Sequence, residues 1–381
     1  MENTNTAHQK FDAILIDEAQ DLNSSFLKLA YGYLKEPKRL IYAYDELQKL
    51  NEGKSLPNPE EIFGREAKDT ILNKCYRNSR PLLTTAHSLG FGIYKKDYKD
   101  NIEMVQFFDQ PELWSDVGYD IIDGKLKPNN KVALSRTSES SPIYLEQHTE
   151  IEDLIIFTMF ENKEEQAIWI ANSIETNLRE DELLHSDIIV INPLGSKTKT
   201  EVGRIREILN GKGINSHIAG DWDPNVFFEE DSITFTGINR AKGNEVAMVY
   251  IINTQECHSS PYFMYRELIS RRNTLFTAIT RSKAWVRVCG TGSRMQDLIK
   301  EFSETKENNF ILKFTYPTDE QISNMNIIHR DLKESEKSKI NSETELFKKV
   351  PEILTRLKKG ETLLEDYPKE IRKMLRKLLD E

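Results

Sequence analysis

The chain has 381 residues, 38% hydrophobic and 30% charged, which is room for two domains of ordinary size and too much apolar content for a disordered chain. A formal net charge of -10 argues against a protein that coats nucleic acid by overall charge, but not against one that grips a few phosphates in a single groove. The three widely spaced cysteines (Cys75, Cys257, Cys289), the start MENTNTAHQK without an apolar core, and the lack of a run near the roughly 18 apolar residues of a membrane span together point to a reduced, cytoplasmic chain with no membrane partner.

Residues 12–17, DAILID, read as a short buried strand ending in acids, and residues 39–45, RLIYAYD, as a second. Between them Phe26, Leu27, Ala30, Tyr31 and Leu34 recur at helical spacing. Strand, helix, strand predicts a parallel pair. Residues 70–95 read as mainly helical, and 97–150 as mixed, with turn signals at Asp123–Gly124 and Pro128–Asn129–Asn130.

From residue 151 strands and helices alternate: LIIFTMF, EEQAIWIANSIETNL, DIIVIN, EVGRIREIL, SITFTGI, VAMVYIIN, LISRRNTLFTAITRS and AWVRVCGTG. Near-continuous apolar strands between amphipathic helices predict an α/β layer whose sheet is covered on both faces. The end of the chain, from about 319, reads as helical and densely charged with both signs.

Five loops carry chemistry. Asp17–Glu18–Ala19–Gln20–Asp21 follows the first strand, where α/β proteins bind ligands; such acids hold Mg²⁺ or orient an attacking water, or merely cap the next helix. Asp45–Glu46–Leu47–Gln48 follows the second strand, and a neutral amide there senses a phosphate by hydrogen bonding or makes an ordinary polar turn. Arg77, in Tyr76–Arg77–Asn78, offers a planar fork for phosphate oxygens or is a surface residue of a helix. In Ala241–Lys242–Gly243–Asn244–Glu245, Gly243 permits a tight turn and Glu245 is an acceptor for a sugar hydroxyl; the bland alternative is a connection without a ligand. Thr277, Thr280 and Arg281 fall on neighbouring turns of one helix, where Arg281 serves as an arginine finger or simply suits a helix C-terminus.

The order DEAQD, D-x-x-Q, Y-R-N, AKGNE, TAITRS resembles motifs II to VI of the superfamily 1 (UvrD/Rep-like) helicases over roughly residues 11–295. The wording IDEAQD, KEPKRLIYAYDELQ, LGFGIY and FTAITRSKAWVRVCG is similar to bacterial members that often carry a nuclease-related domain. The resemblance implies RecA-like domains of the P-loop NTPase class: a partial first domain over 1–72, a connector over 73–150, a complete second domain over 151–316 and a charged helical tail over 317–381. It implies ATP and Mg²⁺ as cofactors, with Asp17 on the metal and Glu18 as catalytic carboxylate. Gln48 would sense the γ-phosphate, and Arg77 and Arg281 would reach the phosphates. Glu245 would contact the ribose, with Lys242, Gly243 and Thr280 around the nucleotide. Thr236 and Asn239 would touch a single strand of DNA, RNA being left open.

Two departures qualify it. Asn239 stands where this group usually has His. No GxxxxGK[ST] loop precedes Asp17, so the phosphate cradle is expected from a preceding segment or a partner chain. Gly53–Lys54–Ser55 and Gly195–Ser196–Lys197–Thr198 imitate parts of that loop, but their spacing fits ordinary turns. The alternatives are a non-catalytic, helicase-derived module that binds DNA or protein, and, further off, a two-metal nuclease using Asp17, Glu18 and Asp21.

Overall fold

Two stretches of parallel sheet, very different in size, organise the chain. The computed structural model describes residues 9–50, 63–64, 70, 72–96, 104–108, 110–258 and 265–328. Apart from Phe63 and Gly64, all of these fall in one unit, Met1–Pro57 with Thr70–Arg330. Gly53, Lys54, Ser55 and, past Ile328, the expected charged tail lie outside the described residues.

The small stretch comprises β1 (Ile14–Ile16), α1 (Ser24–Gly32) and β2 (Leu40–Tyr42). Asn23 starts α1 because its side chain accepts the Phe26 N–H at 2.8 Å, satisfying a donor that the first turn leaves without an intrahelical partner. The strands pair in parallel, Ile14 to Leu40 through Ile16 to Tyr42, as the strand–helix–strand order predicts. Leu27 and Leu34 are fully buried, whereas the register partners Leu15 and Ile41 are 76% and 64% exposed.

Residues 72–79 are not helical, contrary to the sequence reading of 70–95. The helix α2 starts only at Arg80 and runs to Phe91, because Pro81 suits the first turn, where no N–H partner is lost. It ends at Gly92, whose positive φ of 70° takes the left-handed cap at no side-chain cost. Every residue from Pro81 to Phe91 is buried. There follow β3 (Gln106–Phe108) and the hairpin of β4 (Tyr119–Gly124) with β5 (Lys131–Arg136).

The large stretch contains β6 (Ile155–Phe160), α3 (Lys163–Arg179), β7 (Ile188–Asn192), α4 (Thr198–Gly211), β8 (Ser216–Ile218), β9 (Ile233–Gly237), α5 (Ile238–Ala241), β10 (Val246–Ile251), α6 (Tyr265–Ile279), β11 (Ser282–Thr291) and α7 (Gly292–Glu307). Six strands in the order β6-β11-β10-β7-β9-β8 pair exclusively in parallel. This is the predicted α/β class, a parallel sheet covered by helices on both faces. Period-two alternation splits the core: Ile188, Val190, Met248 and Tyr250 meet Ile170, Ile174, Val202 and Ile205 of α3 and α4 on one face. Ile189, Ile191, Val249 and Ile251 join Leu82, Leu89, Leu275 and Ile279 of α2 and α6 in the core on the other. Each such aliphatic side chain, fully buried, contributes about 1.5–3 kcal/mol.

Residues expected to connect two domains thus share this core. The later strands β12 (Leu312–Thr315) and β13 (Asn326–Ile328) pair with β5 and β3, tying the stretch before the sheet to the stretch after it. A buried ion pair fastens the same layer: Arg272 of α6 donates to Glu301 of α7 at 2.7 and 2.8 Å and to the Leu89 carbonyl of α2 at 3.2 Å. Burial alone would push the Glu301 carboxyl up; the Arg272 charge and the hydrogen bonds from His258 and Arg272 outweigh it and hold the carboxyl at about 2. His87, against the Tyr119 hydroxyl at 2.9 Å, is driven down to about 3 by burial and by Arg136.

Candidate active site

The loops that leave β1 and β2 are knitted together by one buried glutamine. Asp17 begins the first loop as an exposed carboxylate, and its Oδ1 accepts the Glu18 N–H at 2.9 Å. Glu18 adopts φ 52°, a left-handed conformation that a residue with a Cβ takes at a cost, and one that recurs at functional sites. Gln20, 4% exposed, donates Nε2 to the Glu18 carboxylate and accepts the Asp45 N–H through Oε1 at 3.1 Å. Asp45 in turn accepts from the Leu47 N–H at 3.0 Å and from Gln48 Nε2 at 2.8 Å. The second-strand loop is therefore oriented by the first.

Facing these loops are residues at the N-terminal edge of the large sheet, just ahead of β10 and β11. Arg281 donates Nη2 to Gln48 Oε1 at 2.7 Å and Nε to the Thr277 carbonyl at 3.1 Å. It is 2% exposed, and burial together with the neighbouring Arg77 lowers its pKa to about 10, while Glu18, Asp45 and Glu245 oppose the shift. Arg77 donates to Glu245 Oε2 at 2.5 Å, with Lys283 at 3.8 Å from the other oxygen. Burial works against the Glu245 charge, but the bond and charge of Arg77, helped by Lys283 and Arg281, leave its pKa below the usual carboxylate range. Lys242, its side chain 8% exposed, reaches Asp21 Oδ2 at 2.6 Å. Asn78 pins the Arg77 segment by donating to the carbonyls of Thr280 at 3.3 Å and Ser282 at 2.7 Å.

Glu18, Gln48, Arg77, Arg281, Glu245 and Lys242 are thus parts of one cross-linked cleft, and Gly243 makes the turn between the last two with φ 77°. Three candidates sit otherwise. Thr280, like Arg281, lies beyond α6, which ends at Ile279, because the chain turns at once into β11; the Thr280 hydroxyl, buried, donates back to the Thr277 carbonyl at 3.1 Å. Thr236 is buried inside β9, its hydroxyl on the Gly237 carbonyl at 3.1 Å. Asn239 is exposed, in α5 just after β9 ends at the opposite edge of the sheet. Sequence reasoning passed over Gln20, Asp45, Asn78 and Lys283. The first two stand inside the quoted motifs, as does Asn78, and that position was the available signal.

The set suits a nucleoside triphosphate: guanidinium and ammonium groups for phosphate oxygens, a carboxylate for a ribose, and acids beside them. No group of three metal-ligating side chains occurs among the described residues. A Mg²⁺ that arrives on phosphates needs only one or two protein carboxylates, which Asp17 and Glu18 offer. Arg77–Glu245 and Lys242–Asp21 pair opposite charges, whereas Arg281 meets the neutral amide oxygen of Gln48.

Residues 232–289 match the UvrD-like helicase C-terminal domain family, a span from β9 into β11 that includes Lys242, Glu245 and Arg281. Among solved structures, the C-terminal domain of a possible DNA helicase from Lactobacillus plantarum WCFS1 is 16% identical. It covers 41% of this chain and 83% of its own, with a TM-score of 0.27. Comparison with curated proteins finds no match. No described helix is long and apolar enough to cross a membrane.

Proposed function

We propose that the chain is the motif II-to-VI part of an ATP-dependent helicase or translocase, which hydrolyses ATP with Mg²⁺ and moves along single-stranded DNA. The observation that carries it is the Arg281–Gln48 contact, with Glu18, Asp45, Arg77 and Glu245 within electrostatic reach: side chains from five separate loops converge. Bound Mg²⁺ would neutralise phosphate charge, held by Asp17. Glu18 accepts a proton from the attacking water, and Arg77 and Arg281 donate to the phosphate oxygens as charge builds on them. Gln48, bonded to Asp45 and Arg281, links both sides of the cleft. Lys242–Glu245 faces the nucleotide, while α5 starts at the far edge of the sheet. This short segment is therefore suited to pass a change in the cleft to a strand bound near Asn239.

The oriented N–H donors for the β- and γ-phosphates come, in this reading, from a preceding segment or a partner chain. A second reading is a non-catalytic module that binds nucleic acid or protein, in which Arg77–Glu245, Lys242–Asp21 and Arg281–Gln48 act as structural bridges between loops. The test is ATP turnover by the purified chain, with and without single-stranded DNA, beside Glu18→Gln. Stimulated turnover lost in Glu18→Gln supports the motor and removes the need for an outside loop. Measurable ATP·Mg²⁺ binding with turnover no higher than in Glu18→Gln supports the motor with that need. Absence of binding at millimolar nucleotide supports the second reading.

A further inference from the structure

Trp222 is 94% exposed, more than any other large hydrophobic side chain described. It stands on the loop that leaves β8. Ile218 is in register with Phe235 and the Ala219 N–H reaches the Phe235 carbonyl at 2.9 Å, so the loop emerges at the C-terminal edge of the sheet, beside the start of α5.

The loop is fixed from several directions. Gly220 N–H bonds the Val226 carbonyl at 3.0 Å, Asp221 N–H the Ile218 carbonyl at 3.1 Å, and Asn225 N–H the Asp223 carboxylate at 2.8 Å. Lys199 of α4 pairs with Asp221, and Arg240 of α5 donates to the Pro224 carbonyl. Gly220 has φ 70°, and a Cβ there would run into the Arg240 guanidinium, so the turn and the motif-bearing helix are in direct contact. A large aromatic held in solvent by a braced turn forgoes burial that a looser loop would give it. Its face remains open to a flat partner. Lys199, in the first turn of α4, reaches the loop at Asp221, and the exposed Lys197 immediately precedes that helix. The loop's own acids, Asp223 and Glu229 to Asp231, disfavour phosphates at the tip but not the π-face of a base.

We infer that Trp222 is a stacking platform for one base of a bound single strand, whose phosphates run on the Lys197–Lys199 side. This rests on the reading of the chain as part of a nucleic-acid motor, and it places the strand against the same helix that leads to Lys242 and Glu245. Stacking of this kind tolerates any base.

The full chain is titrated with an oligothymidine, following tryptophan emission and, separately, the anisotropy of a labelled oligomer. Trp114 is fully buried and Trp169 and Trp285 are half-buried, so quenching at the red edge reports Trp222. The expected result is red-edge quenching in the wild type, affinity reduced roughly 5- to 150-fold in Trp222→Ala, and affinity close to wild type in Trp222→Phe. Equal affinity in wild type and Trp222→Ala overturns the platform and leaves the nucleic-acid reading standing. No oligomer binding by the wild type overturns both, and an apolar peptide then becomes the partner to seek.

Discussion

The six-stranded sheet and the β1–β2 pair are both parallel, built strand–helix–strand, and they end differently. In the large one, Val190, Ile191, Val249 and Ile251 are fully buried, with helices on both faces. In the small one, Leu27 and Leu34 are fully buried while Leu15 and Ile41 are exposed. Stability therefore resides in the large sheet, whereas the carboxylates of the candidate site hang on the small one. The segment that follows the small sheet is joined to the large region by polar bridges, Arg281–Gln48, Lys242–Asp21, Ser270 to the Leu50 carbonyl at 2.6 Å and Asn273 to the Lys49 carbonyl at 3.0 Å, and by Leu47, which is buried in the large core with Leu50 against it.

Breaking the large region has the greatest effect. Arg272→Ala leaves Glu301 charged and buried without its partner and is expected to cost about 3–5 kcal/mol in denaturant unfolding. Acid acts on the same layer through two groups. His87 titrates at about 3 when folded against 6.5 in the open chain, so protons favour the unfolded state as pH falls through that window. The Glu301 contribution is intact above 4.5 and is lost as pH falls towards 2. Stability should decline by up to about 1.4 kcal/mol per pH unit from His87 alone, and His87→Gln should flatten the upper part of the curve.

Loosening the small region is a milder change. Asp21→Ala leaves the nearly buried Lys242 ammonium unpaired, at about 1–3 kcal/mol, and amide exchange should accelerate in residues 14–42 before it does in the large sheet. Leu15→Lys should be the smallest, within about 0.5 kcal/mol in unfolding, while reducing self-association seen by light scattering. A large loss of stability in Leu15→Lys would mean that the face is already covered and that the contrast between the sheets is mistaken.

The same contrast governs what could be read from sequence. The strands at 155–160, 188–192 and 246–251 announce themselves because buried parallel strands are apolar runs with Gly, Asn or charge at their ends. The loops bearing Asp17 and Gln48 are located by the shorter apolar runs of β1 and β2, and Glu245 and Arg281 stand just ahead of β10 and β11. Long-range pairing left no local trace: Leu312–Thr315 joins Lys131–Arg136 across nearly half of the chain. The helical reading of 72–79 failed because Pro81 sets where α2 begins. Thr280 gave no sign that its hydroxyl would return to its own helix, and the exposure of Trp222 depends on the bracing by Arg240 and Lys199, which only the folded chain brings together.

The most direct test of the cleft is equilibrium titration of the chain with a fluorescent ATP analogue and Mg²⁺, comparing wild type with Arg281→Ala and Arg281→Lys. If Arg281 reaches the phosphates as proposed, Arg281→Ala weakens binding at least tenfold, about 1.4 kcal/mol, and Lys restores only part of it, because an ammonium cannot reproduce the planar fork. Equal affinity in all three proteins would contradict the account, leaving the Arg281–Gln48 contact as a structural bridge and nothing more.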